Sequence, residues 1–140
     1  MRRVYLFIPV LLVLLLAVAC GGPKAIPVAA ITEIRTLDKT QPVSNYGQIM
    51  QVDDRAGSAY IMFYIRPSAG EFTSLEDALI QVRTFDQDFL RNVVDILKKH
   101  GINGNVSVWF QLPMEQGGVT ILGHSSYEGK NFRDFVRYTS

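Results

Sequence analysis

The strongest constraint on the fold is a run of apolar residues with helical spacing in residues 73–100. Hydrophobic side chains recur there every three or four positions and therefore share one face of a helix. They are Leu75, Leu79, Val82, Phe85, Phe89, Val93 and Leu97. Thr73-Ser74-Leu75-Glu76 fits a capping box at the start, and Gly101 suits a left-handed stop after the basic last turn. We therefore predict one long amphipathic helix.

Segments with strand-like composition flank this helix on both sides. Residues 46–52 and 58–65 precede it, and residues 106–112 and 119–125 follow it, with aromatic and β-branched residues in each. Residues 131–138 favour a last strand over a short amphipathic helix. This order predicts an α+β domain over residues 46–140, in which one long helix packs on one face of a mostly antiparallel sheet of about four strands.

Alternation along the strands divides the sheet into two faces. The face predicted to meet the helix carries Ile61, Phe63, Ile65, Val106, Val108, Phe110, Val119 and Ile121. The opposite face is predicted to carry Tyr60, Met62, Tyr64, Trp109, Gln111, Thr120, Leu122 and His124. Its aromatic content makes Tyr60, Tyr64, Trp109 and His124 a candidate binding face, because large exposed apolar patches usually mark interaction sites. The alternative is that residues 31–37 or the segment with Phe132, Phe135 and Val136 fold over this face and bury it.

The chain before the domain has two further parts. Residues 21–30 contain two glycines and two prolines, which predict a tether without regular structure. Residues 31–37 favour an edge strand, and residues 38–45, with Pro42, favour a loop.

The first 19 residues have the pattern of a secretory signal peptide. Arg2 and Arg3 precede an apolar run that ends at Ala19. The run is shorter than the roughly 20 apolar residues that span a bilayer, and Pro9 interrupts it. We therefore expect removal of this segment and not a permanent transmembrane helix.

The end of the apolar run resembles the lipobox of bacterial lipoproteins. The residues are Leu16-Ala17-Val18-Ala19-Cys20-Gly21, with alanine at position 17 where the pattern usually has leucine. The resemblance implies a diacylglyceryl group on the Cys20 thiol, cleavage before Cys20 and acylation of the new amino terminus. Gly21 is not the aspartate associated with inner-membrane retention, so the resemblance implies an outer-membrane protein facing the periplasm.

Charge and motifs exclude several function classes. Removal of Arg2 and Arg3 leaves 12 of the 14 basic side chains against 13 acidic ones, so no basic footprint for nucleic acid remains. His124 and Ser125 are neighbours on a predicted strand and must point to opposite faces, which excludes a nucleophile–base pair. Asp86 and Asp88 are expected on a solvated helix face, and His100 lacks a second metal ligand nearby in sequence. The sequence predicts no catalytic residue, metal or cofactor.

Residues 59–130 are similar to small uncharacterised strand–helix–hairpin domains of bacterial and phage lipoproteins. The similarity lies in the order of elements and in Leu122-Gly123-His124 and Gly129-Lys130, and it transfers no active residue. The leading hypothesis is a non-enzymatic binding module at the cell envelope with an envelope protein as its partner. The alternatives are a small envelope hydrolase, whose active groups meet only in the fold, and a structural spacer.

Overall fold

The computed structural model of the chain describes residues 22–40, 42–66 and 74–139. Cys20, the predicted signal peptide and Thr73 lie outside the described residues. The elements are α1 (Val28–Arg35), a 3₁₀ turn (Leu37–Lys39), α2 (Val43–Tyr46), β1 (Gly47–Arg55), β2 (Ser58–Ile65), α3 (Leu75–Lys99), β3 (Val106–Pro113), β4 (Val119–Glu128) and β5 (Asn131–Arg137).

The strands form one mixed sheet in the order β1-β2-β3-β4-β5. β2 and β3 are parallel, and the other three neighbouring pairs are antiparallel. The α+β class and the single long helix are therefore confirmed, whereas the sheet has five strands and is not purely antiparallel. The parallel pair arises because α3 carries the chain back along the sheet, so that β3 starts at the same end as β2.

The long helix begins one residue later than the predicted capping box requires. Ser74 is the N-cap, and its side-chain oxygen accepts a hydrogen bond from the backbone N–H of Asp77 at 3.3 Å. At the other end Gly101 adopts a φ of 74°, and the Ile102 N–H donates to the Leu97 carbonyl at 2.9 Å. This is the Schellman stop expected from the sequence. Both ends of α3 are thus fixed by local interactions.

The core lies between α3 and one face of the sheet. Four phenylalanine rings meet there, with centroids 5.2 to 6.5 Å apart, and they belong to Phe63, Phe85, Phe89 and Phe110. The predicted helix-facing residues of β2 and of β3 up to Phe110 are all buried. Their placement confirms the alternation predicted for these two strands.

The predicted faces are wrong for the first half of β4. Phe110 pairs with Gly123 and Gln111 pairs with Ile121, so Leu122 is an extra residue opposite β3. This bulge reverses the alternation beyond it. Val119, predicted in the core, is 40% exposed, and Leu122, predicted on the opposite face, is 2% exposed. Ile121 shares the face of its partner Gln111, and Thr120 shares the face of its partner Leu112, which packs against the core.

The segment before β1 is helical where an edge strand was predicted. α1 packs against α3 and β1, with Ala30 and Ile34 fully buried four residues apart. Packing of the chain begins even earlier, because Ile26 is buried and its N–H donates to Asp54 Oδ2 at 2.9 Å. The predicted tether therefore does not reach Ala30. The loop predicted for residues 38–45 contains most of the 3₁₀ turn and most of α2.

Candidate functional site

The sheet surface turned away from α3 is the candidate site, and we call it the open face. α1 and α2 both contact α3, so the helices of the described chain lie on one side of the sheet. β5 extends the sheet at its edge, and its Phe132 and Phe135 rings face Arg91 and Arg83 of α3. The alternative that residues 31–37 or the β5 segment bury the opposite face is therefore wrong. No described element covers the open face.

Trp109 lies at the centre of the open face. It pairs with Met62 on β2 and with His124 on β4, which places these three side chains in one row across three strands. The Trp109 and His124 rings stack with centroids 4.7 Å apart and planes 21° apart. Tyr60 lies on the other side of Trp109, with ring centroids 6.0 Å apart. The structure thus brings Tyr60, Trp109 and His124 together.

Tyr64, the fourth predicted residue, lies further along β2. Its register partners are Gln48 on β1 and Gln111 on β3, so amide side chains flank it. Tyr64 is half-buried and Gln111 is 5% exposed. The open face therefore has an aromatic part around Trp109 and an amide-rich part around Tyr64.

Sequence reasoning missed the contribution of β1 to this face. The Arg55 guanidinium lies 3.8 Å from the centre of the Tyr60 ring, a cation–π geometry that holds the ring in place. Gln51 donates to Asp53 at 2.8 Å on the same strand, and Asp53 pairs with Tyr60. The sequence does indicate this contribution, because Gln51, Asp53 and Arg55 alternate and so share one face of a strand. It was overlooked because the turn was predicted to begin at Asp53, whereas β1 continues to Arg55.

The indole N–H of Trp109 has an unusual environment. Its Nε1 atom is buried and has no hydrogen-bond acceptor among the described residues. A buried donor without an acceptor costs about 1–3 kcal/mol, and buried polar groups in folded proteins nearly always have a partner. The ring is held by stacking on His124 and by packing against Tyr60, not by a hydrogen bond.

His124 and Ser125 point to opposite sides of the sheet, as predicted. His124 stacks on Trp109, whereas the Ser125 hydroxyl is fully buried on the helix side and donates to Asp86 Oδ2 at 2.6 Å. The prediction that Asp86 lies on a solvated helix face is wrong, because Asp86 is 2% exposed; Asp88 is exposed. The sequence could not show this pair, since its members are 39 residues apart.

His100 has a structural partner in α1. Its Nε2 lies 3.0 Å from Glu33 Oε2, and Lys99 Nζ lies 2.9 Å from Glu33 Oε1. The hydrogen bond from His100, followed by that from Lys99, lowers the pKa of Glu33 below its ordinary value. This pair of contacts joins α1 to the end of α3.

Residues 22–40, 42–66 and 74–139, which the structure describes, contain no metal-ligand cluster and no candidate membrane span. No group of three or more histidine, cysteine, aspartate or glutamate side chains there is placed to hold a metal ion. In the same ranges, no helix is both long and apolar enough to cross a bilayer. Comparison with family models, curated proteins and solved structures gives no match to this chain.

Proposed function

We propose that this protein is a lipid-anchored module of the bacterial cell envelope that binds a partner protein through its open face. The observation that carries the proposal is an aromatic sheet surface that no described element covers. A sheet with helices on one side normally presents polar residues on the other. Here the centre of the solvent side is occupied by Tyr60, Met62, Trp109 and His124.

The composition of the open face suits protein recognition. Tyrosine, tryptophan and arginine are the residues that contribute most often to binding hot spots, and Tyr60, Trp109 and Arg55 form a connected group here. Aromatic rings provide a large contact area with few rotatable bonds, so little entropy is lost on binding. The unsatisfied Trp109 N–H adds a donor for an acceptor group of the partner once the neighbouring side chains move.

The anchor in this proposal is the lipid on Cys20. Two or three acyl chains hold a protein stably on a membrane, whereas one chain binds only marginally. The lipobox-like sequence before Cys20 supports this modification, and Gly21 supports transport to the outer membrane, facing the periplasm. The anchor restricts the partner to proteins within reach of the same envelope surface.

The structure gives less support to the two alternatives. Ser125 is an unsuitable nucleophile because its hydroxyl is fully buried and points away from His124. A simple spacer has no need of an uncovered sheet face lined with half-buried aromatic rings, which is costly for solubility. Binding therefore explains more of the described features than hydrolysis or spacing does.

The proposal is tested by photo-cross-linking in intact cells. A photoreactive phenylalanine derivative replaces Tyr64 on the open face or, as the matched control, Ile80, which is 64% exposed on α3. We expect a discrete cross-linked species from position 64 alone. Adding Trp109→Ala to the Tyr64 variant should weaken this product about tenfold or more, because truncation of a hot-spot residue costs about 2 kcal/mol or more.

The outcome is judged against a second control on the same protein. Met114→Ala changes a side chain that is 53% exposed in the β3–β4 loop, away from the open face, and should leave the product unchanged. Equal cross-linking from positions 64 and 80, or full yield in the Trp109→Ala background, would contradict the assignment of the open face. Urea unfolding of each variant verifies that the fold is retained.

A further inference from the structure

Pro23 and Lys24, near the start of the described chain, lie with three turns at one end of the domain, which we call the anchor end. The turns are the β1–β2 turn at Ala56-Gly57, the loop of residues 101–105 after α3, and the β4–β5 turn at Gly129-Lys130. Pro23 and Lys24 line a pocket there with residues of the first two turns. The β3–β4 loop and the start of α3 lie at the other end of the sheet, because β3 runs away from the anchor end.

Close backbone contacts hold the start of the described chain at this end. Gly57 has a φ of 79°, and a Cβ there would lie 2.6 Å from the Lys24 carbonyl oxygen. A Cβ on Gly104 would collide with the Gly57 carbonyl oxygen. Only glycine allows the three segments to approach so closely. Asp54 accepts hydrogen bonds from the N–H groups of both Ile26 and Gly57, which ties the chain to the β1–β2 turn.

The position of Lys24 limits the distance between the domain and the membrane. This step rests on the proposed lipid anchor at Cys20. Lys24 follows Cys20 by four positions, and four residue steps of fully extended chain span at most about 14 Å. The anchor end therefore lies close to the lipid headgroups. Electrostatic attraction acts over a Debye length of about 8 Å at physiological salt, so exposed charges at this end are within or near the range of the membrane surface.

The fold places Lys24, Lys98 and Lys130 at the anchor end, together with the carboxylates of Asp54 and Glu128. Lys98 and Lys130 line one cavity of about 590 Å³ together with Asn103, Asn105, Tyr127, Gly129 and Phe132, a lining without any acidic side chain. Lys98 Nζ lies 5.5 Å from the centre of the Tyr127 ring. Two ammonium groups and two amides supply hydrogen-bond donors for a phosphate group. Lys24 lines the neighbouring pocket, which shares Asn103 with this cavity.

Asp54, Glu128 and Glu33 each have partners within the protein, and those of Asp54 are the N–H groups of Ile26 and Gly57. Glu128 pairs with Arg133 at 3.3 Å, and Glu33 pairs with Lys99 and His100. Among the described residues, Lys24, Lys98 and Lys130 form no ion pair with a carboxylate, so their ammonium groups are available to an external anion. Basic residues held next to a bilayer are attracted to anionic lipid headgroups.

We infer that Lys24, Lys98 and Lys130 form a docking surface for the phosphate headgroups of an anionic phospholipid bilayer. Docking holds the anchor end against the membrane, and the strands then run away from the bilayer. The sheet then stands upright on the membrane, and the normal of the open face is parallel to the membrane plane. Its partner is therefore reached beside the protein on the same membrane, and not across the periplasm.

The test uses the processed, acylated protein reconstituted in vesicles. Its cysteine is acylated, so a cysteine introduced at Asn103 or at Glu115 is the only free thiol for a fluorophore. Energy transfer to labelled lipid headgroups is measured in phosphatidylcholine vesicles with and without phosphatidylglycerol. We expect stronger transfer from position 103 than from position 115. We also expect transfer from position 103 to rise severalfold with phosphatidylglycerol and to fall back at high salt.

Charge variants connect this signal to the named lysines. Lys98→Gln with Lys130→Gln should remove the response to phosphatidylglycerol, whereas Lys39→Gln with Arg66→Gln, two exposed basic residues outside the anchor end, should preserve it. Equal transfer from position 103 in both kinds of vesicle would overturn the docking surface, as would an equal loss in the control pair. Failure of the protein to float with any vesicle would instead overturn the lipid anchor, and the inference with it.

Discussion

The contact between Ser125 and Asp86 shows how a single polar pair is accommodated in this core. Asp86 belongs to α3 and Ser125 to β4, and both side chains are buried between helix and sheet. Gln87 Nε2 donates to the same carboxylate oxygen at 3.0 Å. A buried carboxylate must be paired, because transfer of an unpaired charge out of water is very costly. Two hydrogen bonds therefore satisfy this carboxylate oxygen, and the one from Ser125 joins α3 to β4.

Removal of the Ser125 hydroxyl should destabilise the domain. We expect Ser125→Ala to lower the free energy of unfolding by about 1.5–3 kcal/mol, the usual contribution of a hydrogen bond to a charged group. Urea denaturation followed by circular dichroism measures this difference. The matched control is Ser107→Ala on β3, a half-buried serine on the open face. Equal effects of the two substitutions would show that the hydrogen bond to Asp86 has no special role.

At the residue scale, sequence prediction succeeded where alternation is regular and failed where it is interrupted. Trp109 was placed correctly because the strand between Val106 and Phe110 alternates without a break, and His124, its register partner on β4, lies on the same face. Ile121 and Leu122 were assigned to the wrong faces because a bulge adds one residue to β4. A bulge depends on pairing with the neighbouring strand, so alternation within one segment does not reveal it.

Among the elements, α1 was predicted as an edge strand and is a helix. Residues 31–37 contain several β-branched residues, which favour a strand. The segment is helical because Ala30 and Ile34 then lie on one face and bury fully against α3 and β1. Tertiary packing outweighs a local propensity that differs by less than about 1 kcal/mol per residue.

Packing of α1 is tested at its most buried large residue. We expect Ile34→Ala to lower the free energy of unfolding by about 2–5 kcal/mol, because truncation removes buried methylene groups and leaves a cavity. Val28→Ala is the control in the same helix, since Val28 is 79% exposed. The measurement is urea denaturation. A loss of less than 1 kcal/mol in the Ile34 variant would contradict a packed α1.

The link between α1 and α3 should depend on pH. Because His100 and then Lys99 lower the pKa of Glu33 in the folded protein, the contact stabilises the fold fully above the ordinary pKa of 4.5. The stabilisation is lost as the pH falls through the lowered pKa. Glu33→Gln should therefore be less stable than the wild type at neutral pH, by a small amount because Glu33 is exposed. This difference should vanish in acid, and a difference that persists there would contradict the ion pair.

The parallel pairing of β2 and β3 was accessible from the sequence but was not recognised. A strand, a long helix and a second strand in succession are typical of a crossover between parallel neighbours, whereas antiparallel neighbours need only a short turn. The hairpins β1–β2, β3–β4 and β4–β5 all have short connections and are antiparallel. Connection length alone therefore distinguishes the two kinds of pairing in this sheet.

At the scale of the whole molecule, the proposed lipid anchor determines how the open face is oriented on the membrane. The chain is packed from Ile26 onward, so little slack separates the domain from Cys20. The docking surface at the anchor end and the direction of the open face both depend on this short connection. The orientation of the domain on the membrane could not be predicted from spacing or periodicity within one segment. It depends on residues that are distant in sequence and that only the fold brings together.

The most direct test of the account is the intact mass of the protein extracted from membranes, compared between wild type and Cys20→Ser. We expect a wild-type species that begins at Cys20 and carries the mass of its acyl chains, and we expect this species to be absent in the variant. Cys20 precedes Ile26, the first buried residue of the described chain, so the absence of the acylated species in the variant reports on the lipid and not on the folded domain. An unmodified full-length chain in both samples would contradict the anchor and, with it, the orientation of the open face.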